Sequence, residues 1–218
     1  MKGQLYIDNK NIFTELGVAT MQGNYGELVA FSPSKTPDSN DWPEEDGKEF
    51  DLSEMHLDTK DVTLEFGFFS EWGYNDFVVL LSDMGYHDFN FPQLGRTFRL
   101  RLSSQNSFEM YSNTERSKFT FVNDFPRPYG YVYQEPVNSI PLPKGYELDN
   151  MDLSAYGVLV LKGSNAEIFK TPVVKKNFLR NFKSRDGAVY DGEYVKFQTK
   201  DVNLKCLMRA PDFDTFWR

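Results

Sequence analysis

The sequence predicts a mainly β protein in which one unit occurs twice in tandem. Its internal repetition is the first reason. Asp46-Gly47-Lys48-Glu49-Phe50-Asp51, followed by Thr59-Lys60-Asp61-Val62-Thr63-Leu64, returns as Asp186-Gly187-Ala188-Val189-Tyr190-Asp191 and Thr199-Lys200-Asp201-Val202-Asn203-Leu204. Asp46 to Asp186 and Thr59 to Thr199 share one separation, 140 residues. The same separation pairs Tyr6 with Tyr146, Gly17-Val18 with Gly157-Val158, Gly23 with Gly163, Glu27 with Glu167 and Lys35 with Lys175. Other positions swap like for like: Phe13/Leu153, Met21/Leu161, Leu28/Ile168, Trp42/Phe182 and Leu57/Phe197. Two copies at this length mean two domains rather than a solenoid. The second reason is period-two alternation in several segments. The third is an aromatic content of 16%, which suits β-rich cores packed with large rings.

From the N-terminus, Leu5 to Ile7 and Gly17 to Met21 read as short strands around a polar turn at Asp8-Asn9-Lys10. Glu27 to Phe31 reads as a further strand. From Ser32 to Glu49 the composition shifts to Pro, Ser, Asp, Glu and Asn, the signature of a long exposed arm. Thr59 to Phe69 then alternates, with Val62, Leu64, Phe66 and Phe68 on one face, as a half-buried strand does. A helix follows: Asn75 can cap it, Phe77, Leu80, Leu81 and Met84 share a stripe, and Gly85 lies past its end. Thr97 to Leu102 and Lys118 to Val122 read as the two strands that close the first copy.

Prolines 126, 128, 136, 141 and 143 make 127–143 an extended linker between a first domain, 1–126, and a second, 144–218. In the second copy, strand, turn and strand recur from Tyr146 to Leu161, and Thr199 to Met208 is again a strand. Asp212 caps a helix carrying Phe213, Phe216 and Trp217. That copy stops at Arg218 without the rest of its helix or the two closing strands. The expectation is that about 50 further residues, or a neighbouring element, complete it.

Composition narrows the function. A net charge of −8 and a pI near 4.9 argue against a phosphate-backbone binder, which relies on Lys and Arg. Cys206 is the only cysteine, so no intrachain disulfide can form and nothing points to an oxidising compartment. Met1 to Tyr6 runs into a strand without an apolar signal region, and no run approaches the roughly 20 apolar residues of a membrane span. A soluble, cytosol-like setting is expected.

No residue set points to catalysis, a cofactor or a metal. His56 and His87 are the only histidines, and His87-Asp88 has no further ligand at zinc spacing, so a surface-loop histidine is expected. Glu44, Glu45, Asp46, Asp51 and Glu54 could supply a glycosidase pair, but acids clustered in an arm are more simply a solvated face. Lys162-Gly163-Ser164 lacks the strand-to-helix setting of a phosphate loop. No serine or cysteine has a placed histidine partner. Cys206 matches Phe66 and is expected to be a small core residue. Asp-Gly is explained by a tight turn, since Gly tolerates φ > 0. A competing reading is a monomeric glycan-binding module using Tyr129, Tyr131 and Tyr133.

The order strand, turn, strand, long loop, Asp-Gly, strand, helix and strand pair resembles the phage distal tail and tail-tube-like proteins, particularly those of Bacteroidetes prophages. The opening Met1-Lys2-Gly3-Gln4-Leu5-Tyr6-Ile7 with the Asp8-Asn9-Lys10 turn is similar to theirs, as is Arg185-Asp186-Gly187 ahead of the Thr199 to Met208 strand. The first copy has Glu45 where that Arg would stand. The resemblance implies small β-barrels or sandwiches, each with one helix packed outside, and a structural role in a six-fold ring around the tail channel. It also implies no enzyme activity and no cofactor. Partners would be further copies of the chain and other tail or baseplate proteins, in the virion tail and, during assembly, the host cytoplasm. Two units per chain suggest a trimer with pseudo-six-fold symmetry rather than a hexamer.

The two matched arms differ in charge. Pro33 to Asp58 carries nine acids against Lys35 and Lys48, a net of −7, whereas Val173 to Gln198 carries six bases against three acids, a net of +3. Drift on a solvated arm would account for this. The functional alternative sets the acidic arm of one unit beside the basic arm of the next, with Asp38, Asp41, Glu44 and Glu45 facing Lys175, Lys176, Arg180 and Arg185.

Overall fold

In a computed structural model, residues 4–21, 25–83, 85–111, 114–127, 132–136, 139–176, 179–190, 192 and 195–217 are described. Met1, Lys2, Gly3, Gly23, Met84, Pro128, Tyr129, Tyr131, Asp191 and Arg218, all named above, lie outside them. The chain is mainly β, with 35% in strands against 18% in helices, and its largest sheet curls into a half-barrel. It divides into two compact units, one of residues 1–35 and 56–133, the other of 36–55 and 134–218. The arm between Thr36 and Met55 is therefore grouped with the second half of the sequence.

The first unit begins with β1 (Tyr6–Ile7) and β2 (Lys10–Asn11), paired antiparallel across Asp8 and Asn9. Both turn residues have positive φ, 50° and 67°, which matches the twist of a tight hairpin. Helix α1 (Ile12–Leu16) follows, a turn absent from the sequence expectation. Asn11 Oδ1 accepts from the amides of Phe13 and Thr14, and Glu15 Oε1 accepts from the Asn11 amide. These reciprocal caps satisfy donors that would otherwise be orphaned. Gly17, at φ 69°, closes the helix and starts β3 (Val18–Thr20).

The expected strand from Glu27 to Phe31 is instead helix α2 (Gly26–Val29), and its cause is tertiary. Leu28 is buried, and Lys60 Nζ donates to the carbonyls of Leu28 and Ala30 at the end of the turn. Glu27 also accepts from the Thr63 amide at 2.5 Å. A cation on the last carbonyls suits a helix C-terminus. This gives the lysine of the Thr-Lys-Asp-Val motif a structural task.

Past β4 (Ser39–Asn40) and β5 (Glu49–Phe50) of the arm, the first unit resumes with β6 (Lys60–Phe68). Val62, Leu64, Phe66 and Phe68 are buried, as the alternation predicts. Helix α3 (Gly73–Leu81) starts two residues ahead of Asn75, which lies inside it and caps nothing. Trp72 holds the N-cap position without a side-chain bond, and Ser82 ends the helix. Strand β7 (His87–Phe91), missed in the sequence, alternates His87, Phe89 and Phe91 inward. Strand β8 (Arg96–Met110) runs eight residues beyond the expected end, and β9 (Glu115–Asn123) pairs with it. The extension through Ser103 to Ser107 has no apolar alternation. Side-chain bonds across the ladder hold it: Gln105 Nε2 to Ser117 Oγ at 2.9 Å and Asn106 Nδ2 to Thr120 Oγ1 at 2.7 Å.

The strand order is β2-β1-β7-β8-β9-β6-β3, with every neighbouring pair antiparallel. Phe77 of α3 sits against Phe66, Phe68 and Phe119, with ring centroids 4.7, 5.7 and 5.6 Å away. Phe89 and Phe121 extend this aromatic layer at 4.9 Å.

His87 is buried in β7, not in a surface loop as expected. Its Nδ1 lies 2.6 Å from Asp8 Oδ2, while Asp8 Oδ1 accepts from the Asp88 amide at 2.9 Å. Burial works to raise the Asp8 pKa, but the His87 and Asp88 bonds and the charges of His87 and Lys10 outweigh it and leave it lowered. A lowered folded-state pKa adds stability that is present above the ordinary Asp value of 3.8 and lost as pH falls through the lowered value. Asp8→Asn is therefore expected to flatten the loss of stability between about pH 5 and pH 2, followed by urea unfolding. An unchanged acid slope would contradict this role.

In the second unit, β10 (Glu147–Leu148) and β11 (Met151–Asp152) form a hairpin across Asp149 and Asn150, at φ 51° and 65°. Next come β12 (Val158–Val160), α4 (Ser164–Phe169), the hairpin β13 (Leu179–Asn181) and β14 (Ala188–Tyr190), β15 (Cys206–Met208) and α5 (Phe213–Trp217). Several of its pairings recur 140 residues from a counterpart earlier in the chain, while the opening hairpin recurs at 141. Val18↔Phe68, Ala19↔Gly67 and Thr20↔Phe66 return as Val158↔Met208, Leu159↔Leu207 and Val160↔Cys206. Lys200 Nζ caps Ile168 and Lys170 of α4 as Lys60 caps α2. The bridge Ser34↔Leu57 returns as Val174↔Phe197, and the hairpin pair Ser39↔Phe50 as Leu179↔Tyr190.

Two expectations fail here for one reason. Only Cys206–Met208 of the segment from Thr199 to Met208 forms a strand, and Cys206 is exposed rather than in the core. In the first copy, β9 supplies the ladder that orders Lys60 to Glu65 and the rings that bury Phe66. Among the described residues, β15 pairs with β12 alone.

Candidate interface within the second unit

The chemistry concentrates where the arm 36–55 meets the segments around Lys175 and Phe197. In the bridge Val174↔Phe197, the Lys175 amide donates to Lys196 O and the Gln198 amide to Val173 O, both at 2.7 Å. That pattern turns the N–H and C=O of Phe197 away from Val174. The arm takes both. Gly47 N donates to Phe197 O at 2.7 Å, and Asp46 Oδ1 accepts from Phe197 N at 2.8 Å. The Asp-Gly turn thus behaves as a short added strand edge. Gly47 needs its φ of 72° for the turn, and a Cβ there would lie 3.5 Å from Thr199 Cγ2.

Beside this, Lys175 is 3% exposed. Its ammonium lies 2.5 Å from Asp41 Oδ1 and 2.8 Å from Trp42 O. A buried lysine is tolerated when paired in this way. The bond from Lys175 is the chief cause that lowers the Asp41 pKa, against a smaller opposing effect of burial. Asp41, Gly47, Lys48, Lys175, Gln198 and Thr199 line a polar recess of about 250 Å³, smaller and more polar than ligand pockets usually are. Lys175→Met keeps the stem and removes the donors. Amide exchange at Gly47 and Phe197 is expected to quicken by about tenfold. Unchanged exchange would show that the ammonium does not hold the arm.

Of the eight charged residues expected at an interface, the structure brings Asp41 and Lys175 together. Asp38, Glu44 and Glu45 are exposed on the arm, and Lys176, Arg180 and Arg185 are exposed along the second arm. None of these six makes an ion pair with another described residue. Sequence reasoning missed Asp46 and Phe197 as contact residues, because a hairpin turn already accounted for Asp-Gly. Among the described residues, no group of three His, Cys, Asp or Glu is placed to hold a metal ion, and no helix is long and apolar enough to cross a membrane. Tyr133 of the proposed glycan set is exposed.

No family model matches the chain, and no curated protein matches it. Among solved structures it is similar to the SPP1 Dit (gp 19.1) protein, described as a paradigm of the hub adsorption apparatus in phages infecting Gram-positive bacteria. The match has 12% identity and a TM-score of 0.45 over 58% of this chain. The chain spans about half the length of that protein, 51%.

Proposed function

We propose that the chain is a non-enzymatic structural component of a phage or prophage tail, a distal-tail or baseplate-hub protein that joins copies of itself into a ring around the channel. The observation that carries the reading is the recurrence of one hydrogen-bond framework at a separation of 140 residues, from the Lys60 and Lys200 caps to the β3–β6 and β12–β15 registers. Two like units in one chain are a means of building a repeating assembly. The opening Gln4-Leu5-Tyr6-Ile7 and the Arg185-Asp186-Gly187 segment support the family. The tandem domains are 1–126 and 144–218 with 127–143 as linker, and three chains would give pseudo-six-fold symmetry. Its place is the virion tail, with assembly in the host cytoplasm beside other tail and baseplate proteins.

Sedimentation velocity at tens of micromolar tests this. A discrete oligomer is expected, and it should weaken as salt rises because exposed charges are screened beyond about 8 Å at physiological ionic strength. A strict monomer at every concentration and salt would overturn it.

A further inference from the structure

We propose that the second arm of one chain docks on the first copy of the next chain, through the same contacts the first arm makes on the second copy within the chain. The proposal rests on the self-assembly reading above and names the surfaces that reading leaves open. The partner is a second copy of this chain, because the receptor for the second arm is already written in its first copy.

The contact within the chain has two halves. The receiving half is the Lys175 ammonium with the outward N–H and C=O of Phe197. The inserting half is Asp41, the Trp42 carbonyl, Asp46 and the Gly47 amide. Moved by 140 residues, the receiving half becomes Lys35 and Leu57, and the inserting half becomes Asn181, Phe182, Asp186 and Gly187.

The backbone at Leu57, Phe182 and Gly187 keeps the local geometry that the contact needs. Leu57 is bridged to Ser34 with Lys35 N on His56 O at 2.8 Å and Asp58 N on Pro33 O at 2.7 Å, so its own N–H and C=O also face outward. Gly187 has φ 76° against 72° for Gly47. Arg185 N donates to Phe182 O at 3.2 Å, as Glu45 N does to Trp42 O at 3.3 Å. The difference lies in occupancy. Lys175 is buried under its arm, whereas Lys35 is exposed, and no described residue bonds the Lys35 ammonium, the Leu57 amide or the Asp186 carboxylate.

One substitution changes the chemistry: Asp41 is matched by Asn181. The junction between chains would use an amide oxygen where the junction within the chain uses a carboxylate, making it the weaker and reversible one. Asp58, which stands where the second copy has Gln198, supplies an acid on the receiving side for the basic arm of Arg180, Lys183 and Arg185. Inserting and receiving surfaces are different, so the interface is heterologous and propagates until it closes.

The test uses the full chain in sedimentation velocity, with circular dichroism to check folding. Lys35→Glu sets a carboxylate against Asn181 and the Phe182 carbonyl, and Asn181→Lys sets an ammonium against Lys35. Each alone is expected to weaken association by at least about tenfold. The double variant restores an opposite pair and should recover association, and Asn181→Asp should tighten it. If the wild type associates and both single variants match it, this interface is wrong while the self-assembly reading stands. Loss in the single variants without recovery in the double overturns the pairing of Lys35 with Asn181. A wild type that stays monomeric overturns both.

Discussion

Phe77→Ala is expected to destabilise the first unit by about 3–5 kcal/mol, the range for removing a buried aromatic ring from a packed core. Phe77 has no exposed surface and is the ring through which α3 meets the sheet. It lies within 4.7–5.7 Å, centroid to centroid, of Phe66, Phe68 and Phe119, which come from β6 and β9. Those rings are fixed by a nine-residue antiparallel ladder and cannot collapse into the space. Urea unfolding reads the loss directly. A change below about 1 kcal/mol would mean that α3 packs on the sheet by some other contact.

Gly73→Ala is expected to cost about 1–2 kcal/mol, although alanine is the better helix former by about 1 kcal/mol. The sign is decided by space. A Cβ at Gly73 would lie 2.7 Å from the backbone carbonyl of Leu16 and 2.7 Å from Ser70 Oγ, which itself donates to Leu16 O. A carbonyl in α1 cannot swing away as a long side chain can. Gly26→Ala in α2 is the control, since nothing lies within 4 Å of its Cβ position. It should be neutral or mildly stabilising. If both variants behave alike, propensity rather than the α1–α3 contact governs these sites.

The sequence made β6 legible because one face is buried along its length, and period two follows from that burial. It hid α2 because Glu27 to Phe31 carries β-favouring residues, and the deciding partners, Lys60 and Thr63, lie some thirty residues away. The far end of β8 was hidden for the opposite reason. Its polar run is ordered by amide and hydroxyl bonds to β9, which leave no apolar pattern. His87 was misplaced because β7 went unrecognised, although His87-Asp88-Phe89-Asn90-Phe91 does alternate. At the interface, the repeat had already matched Lys35 with Lys175. What covers Lys175 depends on where the arm travels, and no local pattern encodes that path.

Class averages of the assembled wild-type protein by electron microscopy distinguish a ring from other assemblies. Closed rings with a central channel and an apparent six-fold outline are expected, made of three chains whose junctions alternate in kind. Open filaments, compact two-fold dimers or particles without a channel would contradict ring assembly.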